Sequence, residues 1–365
     1  MTAVVMVSGS WPPEACGVGD YTERLCRALE ESGISVNRFH DPRLSQLYAR
    51  GTIDRVANVA CDLVHIQYPT AGYGRSCIPA ALPSAVHDKP VIVTLHEYSI
   101  FRWYRRPWFS PYARRCAARI FTTDEERRLF ERRFPHRAGI DATIEIASNI
   151  PAAFPKPTRD RARVVSFGLI APNKGIEDFL ALAERAQAIG SRFSFEVIGA
   201  VQDRYRAYTD AIRRRGSAAG VVFSINMSEE AVAQKLAGAG YAYLPFPDGA
   251  SAKRGTLAAA LINNLVVITR HSAITPSWMA AATFHARTAE EALSLLDTLS
   301  SDERAWNAAV RKGGAAEAHY RWEGVARRHA DLYDAVLTAR QAPVRVGARK
   351  PSRLISDVGL KGGAR

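Results

Sequence analysis

A glycine-bearing segment near the N-terminus has the residue types that bind phosphate groups. Gly17 and Gly19 lie between a short apolar, β-branched run and a helical pattern predicted to begin near Thr22. Glycine lets the backbone approach a ligand, and the free amides of a helix start attract an anion. A tight turn that needs two glycines is the alternative. No third glycine completes the GxGxxG dinucleotide fingerprint, which disfavours a nicotinamide-dependent dehydrogenase.

A second glycine-bearing segment lies in the middle of the chain. Gly168 ends an apolar run, and Asn173, Lys174 and Gly175 precede the next helical pattern. An ammonium group beside unpaired helix amides is suited to a diphosphate. A solvated lysine next to a turn glycine is the alternative interpretation.

A third segment is a polar loop between a strand pattern and a helix pattern, from Leu244 to Leu257. Ligands of open α/β sheets bind at the carboxyl ends of the strands, so this loop is predicted to bind a ligand. Its polar and glycine residues are Asp248, Gly249, Ser251, Lys253, Arg254 and Gly255.

Two strand ends in the first half of the chain have hydrogen-bonding side chains. One strand ends at His65-Ile-Gln67-Tyr68, and another at Thr94-Leu-His96-Glu97. His96 and Glu97 lie where the chain leaves an apolar strand. This position could open to a crevice, where the two side chains would bind a hydroxyl-rich ligand. A structural histidine that caps the strand end is the alternative.

The stretch from Arg102 to Arg137 is strongly basic, with eleven arginines and four acidic residues. Aromatic and cationic side chains mixed in this way are typical of the headgroup layer of an anionic membrane. They could also stack on single-stranded nucleic acid, or form a solvated face with the rings in the core. The aromatic residues are Phe101, Trp103, Tyr104, Trp108, Phe109 and Tyr112.

The elements that position these segments follow from the hydrophobic pattern. Short β-branched runs alternate with longer helical patterns, which predicts parallel βαβ units in an α/β fold with two doubly wound halves. Pro151, Pro155 and Pro157 mark a linker, and we place the boundary near residue 155. The expected units are an N-terminal domain (1–155), a second domain (156–320), a helix (321–340) and a basic, disordered tail (341–365).

Composition excludes several classes of protein. The chain has 365 residues, of which 47% are hydrophobic and 23% are charged, so it is long enough for two folded domains. The net charge of +13 favours phosphate-bearing partners. Five cysteines without a CxxC pair indicate a reducing cytoplasm, and no ligand cluster predicts a metal. No window of about 18 apolar residues predicts a membrane span, so membrane contact would be peripheral.

Together, the segments resemble the two-domain nucleotide-sugar glycosyltransferases of the GT-B fold, specifically the retaining family 4 type. The resemblance covers residues 1 to about 340. Its motifs are the loop Cys16 to Tyr21, the strand segment Asp62 to Tyr68, the segment Thr94 to Tyr98, the loop Phe167 to Gly175, the strand Phe195 to Gly199 and the helix Trp322 to Leu337, in which Tyr333 lies.

The resemblance implies a role for each matched segment. Lys174, the Gly17-Gly19 loop and Arg254 would bind the donor diphosphate, and His96 would contact the sugar near its reacting carbon. The remaining donor residues would be Gly168, Asn173, Asp248, Gly249 and Ser251, and the acceptor residues Gln67, Tyr68 and Glu97. The resemblance implies a nucleotide-sugar co-substrate and a lipid-linked or oligosaccharide acceptor. It implies no cofactor, no metal and no nucleic acid.

The chain departs from the family pattern at three positions. Leu169 stands where the family usually has an arginine, and Ser251 and Ala259 stand at the two glutamates of the E-x7-E motif. These acids hold the donor in the family, so the loop is interpreted as a variant donor site. The departures keep a second hypothesis open, that of a non-catalytic binding or scaffolding protein with the same fold.

Overall fold

The computed structural model describes residues 1–14 and 16–341. The basic tail predicted at 341–365 lies outside the described residues, apart from Gln341. The chain folds into two α/β halves, joined by an irregular segment over residues 144–159. No helix in the described part of the chain is long and apolar enough to cross a membrane.

The N-terminal half alternates strands and helices, as the hydrophobic pattern predicts. Its elements are β1 (Ala3–Val7), α1 (Gly17–Glu31), β2 (Ser35–Phe39), α2 (Arg50–Asn58), β3 (Leu63–Tyr68), α3 (Ile78–Ala85), β4 (Val91–Leu95), α4 (Ser110–Arg115), β5 (Ala118–Phe121), α5 (Asp124–Arg133) and β6 (Ile140–Thr143).

The C-terminal half repeats this alternation and ends in a run of helices. Its elements are β7 (Asp160–Leu169), α6 (Ile176–Ala188), β8 (Ser194–Ala200), α7 (Arg206–Ala218), β9 (Val222–Ile225), α8 (Glu229–Ala237), β10 (Ala239–Leu244), α9 (Gly255–Ile262), β11 (Val266–Thr269), α10 (Ser277–Ala282), β12 (Phe284–His285), α11 (Ala289–Leu299), α12 (Glu303–Gly314), α13 (Glu317–Tyr320) and α14 (Trp322–Gln341).

Each half is built on a parallel sheet, and within residues 1–14 and 16–341 each sheet has six strands. The orders are β2-β1-β3-β4-β5-β6 and β12-β11-β10-β7-β8-β9. The strand order reverses between β1 and β3 in the first sheet and between β7 and β10 in the second. Ligands of doubly wound sheets bind at such reversals, next to the carboxyl ends of the strands. The topology therefore predicts two ligand-binding crevices, one in each half.

Residues that alternate along a strand pack on opposite faces of each sheet. In β1, Val5 and Val7 pack with Val64 and Val93 on one face, and Val4 and Met6 belong to the core on the other. Burial on both faces explains why these strands are continuous apolar runs. The predicted fold class, two doubly wound parallel sheets, is confirmed.

The start of α1 differs from the sequence prediction. The helix begins at Gly17, five residues before Thr22, so both glycines lie in its first turn. A Cβ on Gly19 would lie 3.0 Å from the carbonyl oxygen of Ser10, which shows how closely this turn packs on the segment after β1. Gly19 therefore allows close packing of the helix start, and neither glycine forms a loop ahead of the helix. The short edge strands β6 and β12 were also absent from the sequence prediction.

The last helix, α14, packs on the N-terminal half. Val325, Leu332 and Tyr333 share an apolar cluster with Leu25 and Leu29 of α1. The chain thus crosses between the halves twice, once through residues 144–159 and once before α14.

Candidate functional site

A cleft of about 860 Å³ separates the carboxyl ends of the two sheets. Gly17 and Pro69 line it from the first strand-order reversal, and Gly168 lines it from the second. His96 and Glu97, which follow β4, complete the N-terminal wall. The cleft is therefore formed by residues that are distant in sequence and that the two topologies bring face to face.

A smaller pocket of about 230 Å³ lies within the C-terminal half, between the ends of β7 and β10. Lys174 and Arg254 line it, together with Gly255 and Thr256 at the start of α9. The first amides of a helix have no acceptor within the helix, so they present N–H groups to this pocket. Gly168, Gly255 and Thr256 line both the pocket and the cleft, so the two spaces adjoin each other.

The loop after β7 owes its shape to residues with positive φ. Gly175 has φ +82°, and a Cβ there would lie 2.3 Å from the carbonyl oxygen of Pro245. Only glycine fits such a position without moving the backbone. Asn173 has φ +61° and is exposed, and Lys174 between them is exposed at the edge of the pocket. Asn173 itself does not line the pocket or the cleft.

The loop after β10 is fixed by internal contacts. Arg254 forms an ion pair with Asp248, and its guanidinium lies 4.7 Å from the centre of the Phe246 ring. Gly249 has φ +97°, and a Cβ there would meet the hydroxyl of Ser272. Asp248 and Ser251 line a third cavity, of about 610 Å³, on the other side of Arg254. Of the loop residues predicted to bind the donor, only Arg254 lines the 230 Å³ pocket.

His96 is held from behind by Gln67. Nε2 of His96 lies 2.8 Å from Oε1 of Gln67, and the ring of Tyr21 lies edge-on at 5.1 Å. Burial lowers the pKa of His96 to about 3, helped by the nearby His329 and Lys253. The imidazole is therefore neutral at neutral pH. Because an amide oxygen only accepts, Nε2 of His96 carries the proton.

The three residues predicted to bind the acceptor lie in different environments in the structure. Glu97 lines the cleft, whereas Gln67 is buried behind His96. The ring of Tyr68 is stacked 6.1 Å from Phe101 and packs against Tyr112 at 5.4 Å. Neither Gln67 nor Tyr68 lines the cleft, and neither does Gly19.

An ion pair between the halves joins a residue of the loop predicted to bind a ligand to a residue that no sequence pattern indicated. Lys253 of the β10–α9 loop contacts Glu126 of α5 through its Nζ atom. Lys253 was visible among the polar residues of the loop predicted to bind a ligand. Glu126 has no such signal, because it lies in the acidic first turn of a helix, where carboxylates commonly stabilise the helix start.

The positions aligned with the family glutamates lie in different environments. Ser251 is partly buried at the third cavity, whereas Ala259 is completely buried in the core beneath α9. Asn264, just after α9, has φ +60°, a left-handed conformation that glycine and asparagine adopt most readily. Leu169 lines the cleft with an apolar side chain.

The aromatic and basic stretch divides into two groups. Phe109 and Tyr112 are buried in the core, and Phe101 packs against it. Trp103 and Trp108 are 79% and 68% exposed, and Ile100 and Tyr104 are also exposed. The exposed group begins three residues after the cleft residue Glu97. In the described part of the chain, no three His, Cys, Asp or Glu side chains are grouped so that they could hold a metal ion.

Comparison with known proteins identifies the fold. No protein-family model and no curated protein matches the chain. Among solved structures, a glycosyltransferase from Rickettsia africae matches with a TM-score of 0.67 and 10% identity, over 92% of this chain and 98% of the other. HepE from Anabaena in complex with UDP matches with a TM-score of 0.63 and 14% identity, over 92% and 100% of the chains.

A third structure, sucrose-phosphate synthase from Thermosynechococcus elongatus, has a TM-score of 0.62 and 15% identity, over 92% and 99% of the chains. All three chains are covered almost completely, so the likeness includes both halves and their arrangement. The predicted GT-B fold is thereby confirmed.

Proposed function

We propose that this protein is a glycosyltransferase that moves a hexose from a nucleotide-sugar donor to a lipid-linked or saccharide acceptor. One observation carries the proposal: the 230 Å³ pocket beside Lys174 adjoins the cleft lined by His96 and shares a wall with it. A diphosphate in the pocket would place the attached sugar in the cleft. The names of the similar structures, which include a complex with UDP, support the same class of donor.

The donor diphosphate would be bound by the ammonium of Lys174, the guanidinium of Arg254 and the first amides of α9. Departure of a nucleoside diphosphate builds negative charge on its phosphates. Cations and helix amides placed beforehand stabilise that charge, which is often the largest catalytic contribution in such sites. This arrangement supplies leaving-group stabilisation without a metal.

His96 would contact a sugar hydroxyl rather than act as a base. Its Nε2–H is committed to Gln67, and the low pKa of its ring makes it a weak proton acceptor. Glu97 is the only carboxylate among the described residues that line the 860 Å³ cleft, and we assign it to the acceptor. The resemblance to the retaining family 4 enzymes implies a transfer on one face of the sugar, without a protein nucleophile.

The acceptor would be presented at the cytoplasmic face of an anionic membrane. Trp103 and Trp108 are exposed in the segment that follows the cleft residue Glu97, and Arg102, Arg105 and Arg114 are exposed in the same stretch. Tryptophan favours the bilayer interface and arginine binds lipid phosphates. This placement brings the cleft close to a lipid-linked acceptor.

A thermal-shift screen against UDP, GDP, ADP, TDP and CMP tests the proposal. A ligand that binds only the folded state raises the melting temperature, so one nucleotide should shift it and the others should not. Lys174→Ala should lose the shift, whereas Lys156→Ala, which alters an exposed lysine in the linker, should keep it. No shift with any nucleotide would contradict the proposal.

The alternative of a non-catalytic binding protein draws support from Leu169 and Ala259. Ala259 is buried in the core, where it offers no group to a ligand. Turnover of a nucleotide sugar by the purified protein would eliminate this alternative. Nucleotide binding without turnover, in the presence of lipid-linked and saccharide acceptors, would favour it.

A further inference from the structure

Lys253 lies at the point where three cavities meet. It lines the 860 Å³ cleft, the 230 Å³ pocket and the 610 Å³ cavity beyond Arg254, and no other residue in the described ranges lines all three. Its side chain is one-third exposed. A cation at this junction faces any ligand that extends from the pocket into the cleft.

The ammonium of Lys253 is held in place by Glu126 of the opposite half. The Glu126 carboxylate is 1% exposed and accepts hydrogen bonds from the Ser99 amide at 2.8 Å and the Ser99 hydroxyl at 2.6 Å. Ser99 lies in the turn just after His96 and Glu97. Glu126 is thus a rigid anchor that belongs to the N-terminal wall of the cleft.

The ion pair does not use all the N–H groups of the Lys253 ammonium. An ammonium carries three N–H groups, and Glu126 is the only hydrogen-bond partner of Nζ among the described residues. By contrast, the Arg254 guanidinium is already paired with Asp248. Lys253 is therefore a positioned cation with two N–H groups available to an anion.

We propose that Lys253 binds the donor diphosphate, and that Glu126 is a positioning residue that holds the Lys253 ammonium over the pocket from across the cleft. The inference rests on the proposed function. It assigns the diphosphate a second cation from the variant loop, in addition to Lys174 and Arg254. It also makes the binding site depend on both halves, because the lysine comes from one half and its anchor from the other.

The chain offers a matched control for the ion pair. Arg24 of α1 pairs with Glu229 of α8 at 2.7 Å, which also joins the two halves. Neither residue lines the cleft or the two cavities joined to it. A variant at Glu229 removes an ion pair between the halves without altering the proposed diphosphate site.

Isothermal titration with UDP, GDP, ADP and TDP, and with the matching monophosphates, tests the proposal. Lys253→Met should weaken the nucleoside diphosphate about tenfold and the monophosphate less, because a charge-assisted contact is lost. Glu126→Gln should weaken it by about threefold, and Glu229→Gln should leave it unchanged. Lys253→Arg, which keeps the charge, should restore most of the affinity lost in Lys253→Met.

The possible failures are distinguishable. If the wild-type protein binds no nucleoside diphosphate, the proposed function and this inference are both wrong. If it binds one and Lys253→Met binds it equally well, only this inference is wrong. If Glu229→Gln loses as much affinity as Glu126→Gln, the effect comes from contact between the halves, and the positioning role of Glu126 is refuted. Lys253 is partly exposed, so its variants are expected to fold, and their melting temperatures verify this.

Discussion

The phenol oxygen of Tyr333 lies 2.6 Å from Nδ1 of His65 and so connects the last helix of the chain to the third strand of the first sheet. Nε2 of His65 in turn lies 3.2 Å from the Gln67 amide nitrogen, and Gln67 contacts His96. A buried chain of polar groups thus extends from α14 to the cleft. Because the Gln67 amide donates to His65 and accepts from His96, the chain fixes the protonated nitrogen in both rings.

Removing the hydroxyl of Tyr333 should destabilise the protein. Tyr333→Phe leaves the buried Nδ1–H of His65 without an acceptor, at a cost of roughly 1–3 kcal/mol. Chemical denaturation of both proteins measures the difference in the free energy of unfolding.

Tyr320→Phe is the matched control, because its hydroxyl is buried without a hydrogen-bond partner in the described part of the chain. That variant should be neutral or more stable. Equal destabilisation by the two variants would contradict the role assigned to the Tyr333 hydroxyl.

The buried histidines should make stability fall on mild acidification. Burial lowers the pKa of His96 to about 3 and that of His329 to about 4, and it also lowers the pKa of His65. Below a pH of about 6.5 the unfolded chain binds protons that the folded chain does not, so the free energy of unfolding falls as the pH falls.

The size of this effect is set by the number of histidines. Each buried histidine contributes a slope of up to roughly 1.4 kcal/mol per pH unit between its unfolded and folded pKa values. Urea denaturation between pH 7 and 5 measures it, above the range in which most carboxylates titrate. His329→Leu should reduce the slope, and a pH-independent free energy over this interval would disprove the prediction.

Gly175 should not tolerate a side chain. Gly175→Ala places a Cβ against the Pro245 carbonyl and also strains a positive φ, so the loop that carries Lys174 must shift. Loss of nucleotide binding, measured by thermal shift, should accompany a drop in stability.

Gly190→Ala is the control that separates the steric clash of a new Cβ from the strain of a positive φ. Gly190 has φ +64° and open space around its Cβ position, so the variant is destabilised by the backbone strain alone. It should keep nucleotide binding. The proposed requirement at Gly175 fails if both alanine variants bind nucleotide like the wild type.

Trp103 and Trp108 should govern binding to membranes. Replacing both by alanine should weaken sedimentation with vesicles that contain phosphatidylglycerol and change stability by less than about 0.5 kcal/mol, because both rings are exposed. Phe154→Ala, which removes a 92% exposed ring from the linker, should sediment like the wild type. Unchanged sedimentation of the double variant would remove the support for a membrane acceptor.

Local patterns predicted the strands and helices well where burial is complete. The runs around Val91–Leu95 and Ala239–Leu244 are buried along their whole length, so their apolar character is visible without a partner. The short strand Phe284–His285 was not predicted. Two residues are too few to show the alternation of apolar and polar side chains typical of a strand, and this strand depends on pairing with β11. The helix start at Gly17 was misplaced, because Gly19 is explained by its contact with Ser10, a tertiary feature.

Hydrophobic period and glycine position are local properties, so the two-sheet architecture could be predicted from the sequence. The same holds for His96 and Glu97 at the end of a buried strand and for Lys174 in the loop after another. The folded chain adds the position of Gln67 behind His96, the exposure of Trp103 and Trp108 next to the buried Phe109 and Tyr112, and the contact of Lys253 with Glu126. Each of these features depends on packing between elements that are separated along the chain. The contact of Lys253 with Glu126 also depends on how the two sheets face each other, and no local pattern encodes such packing.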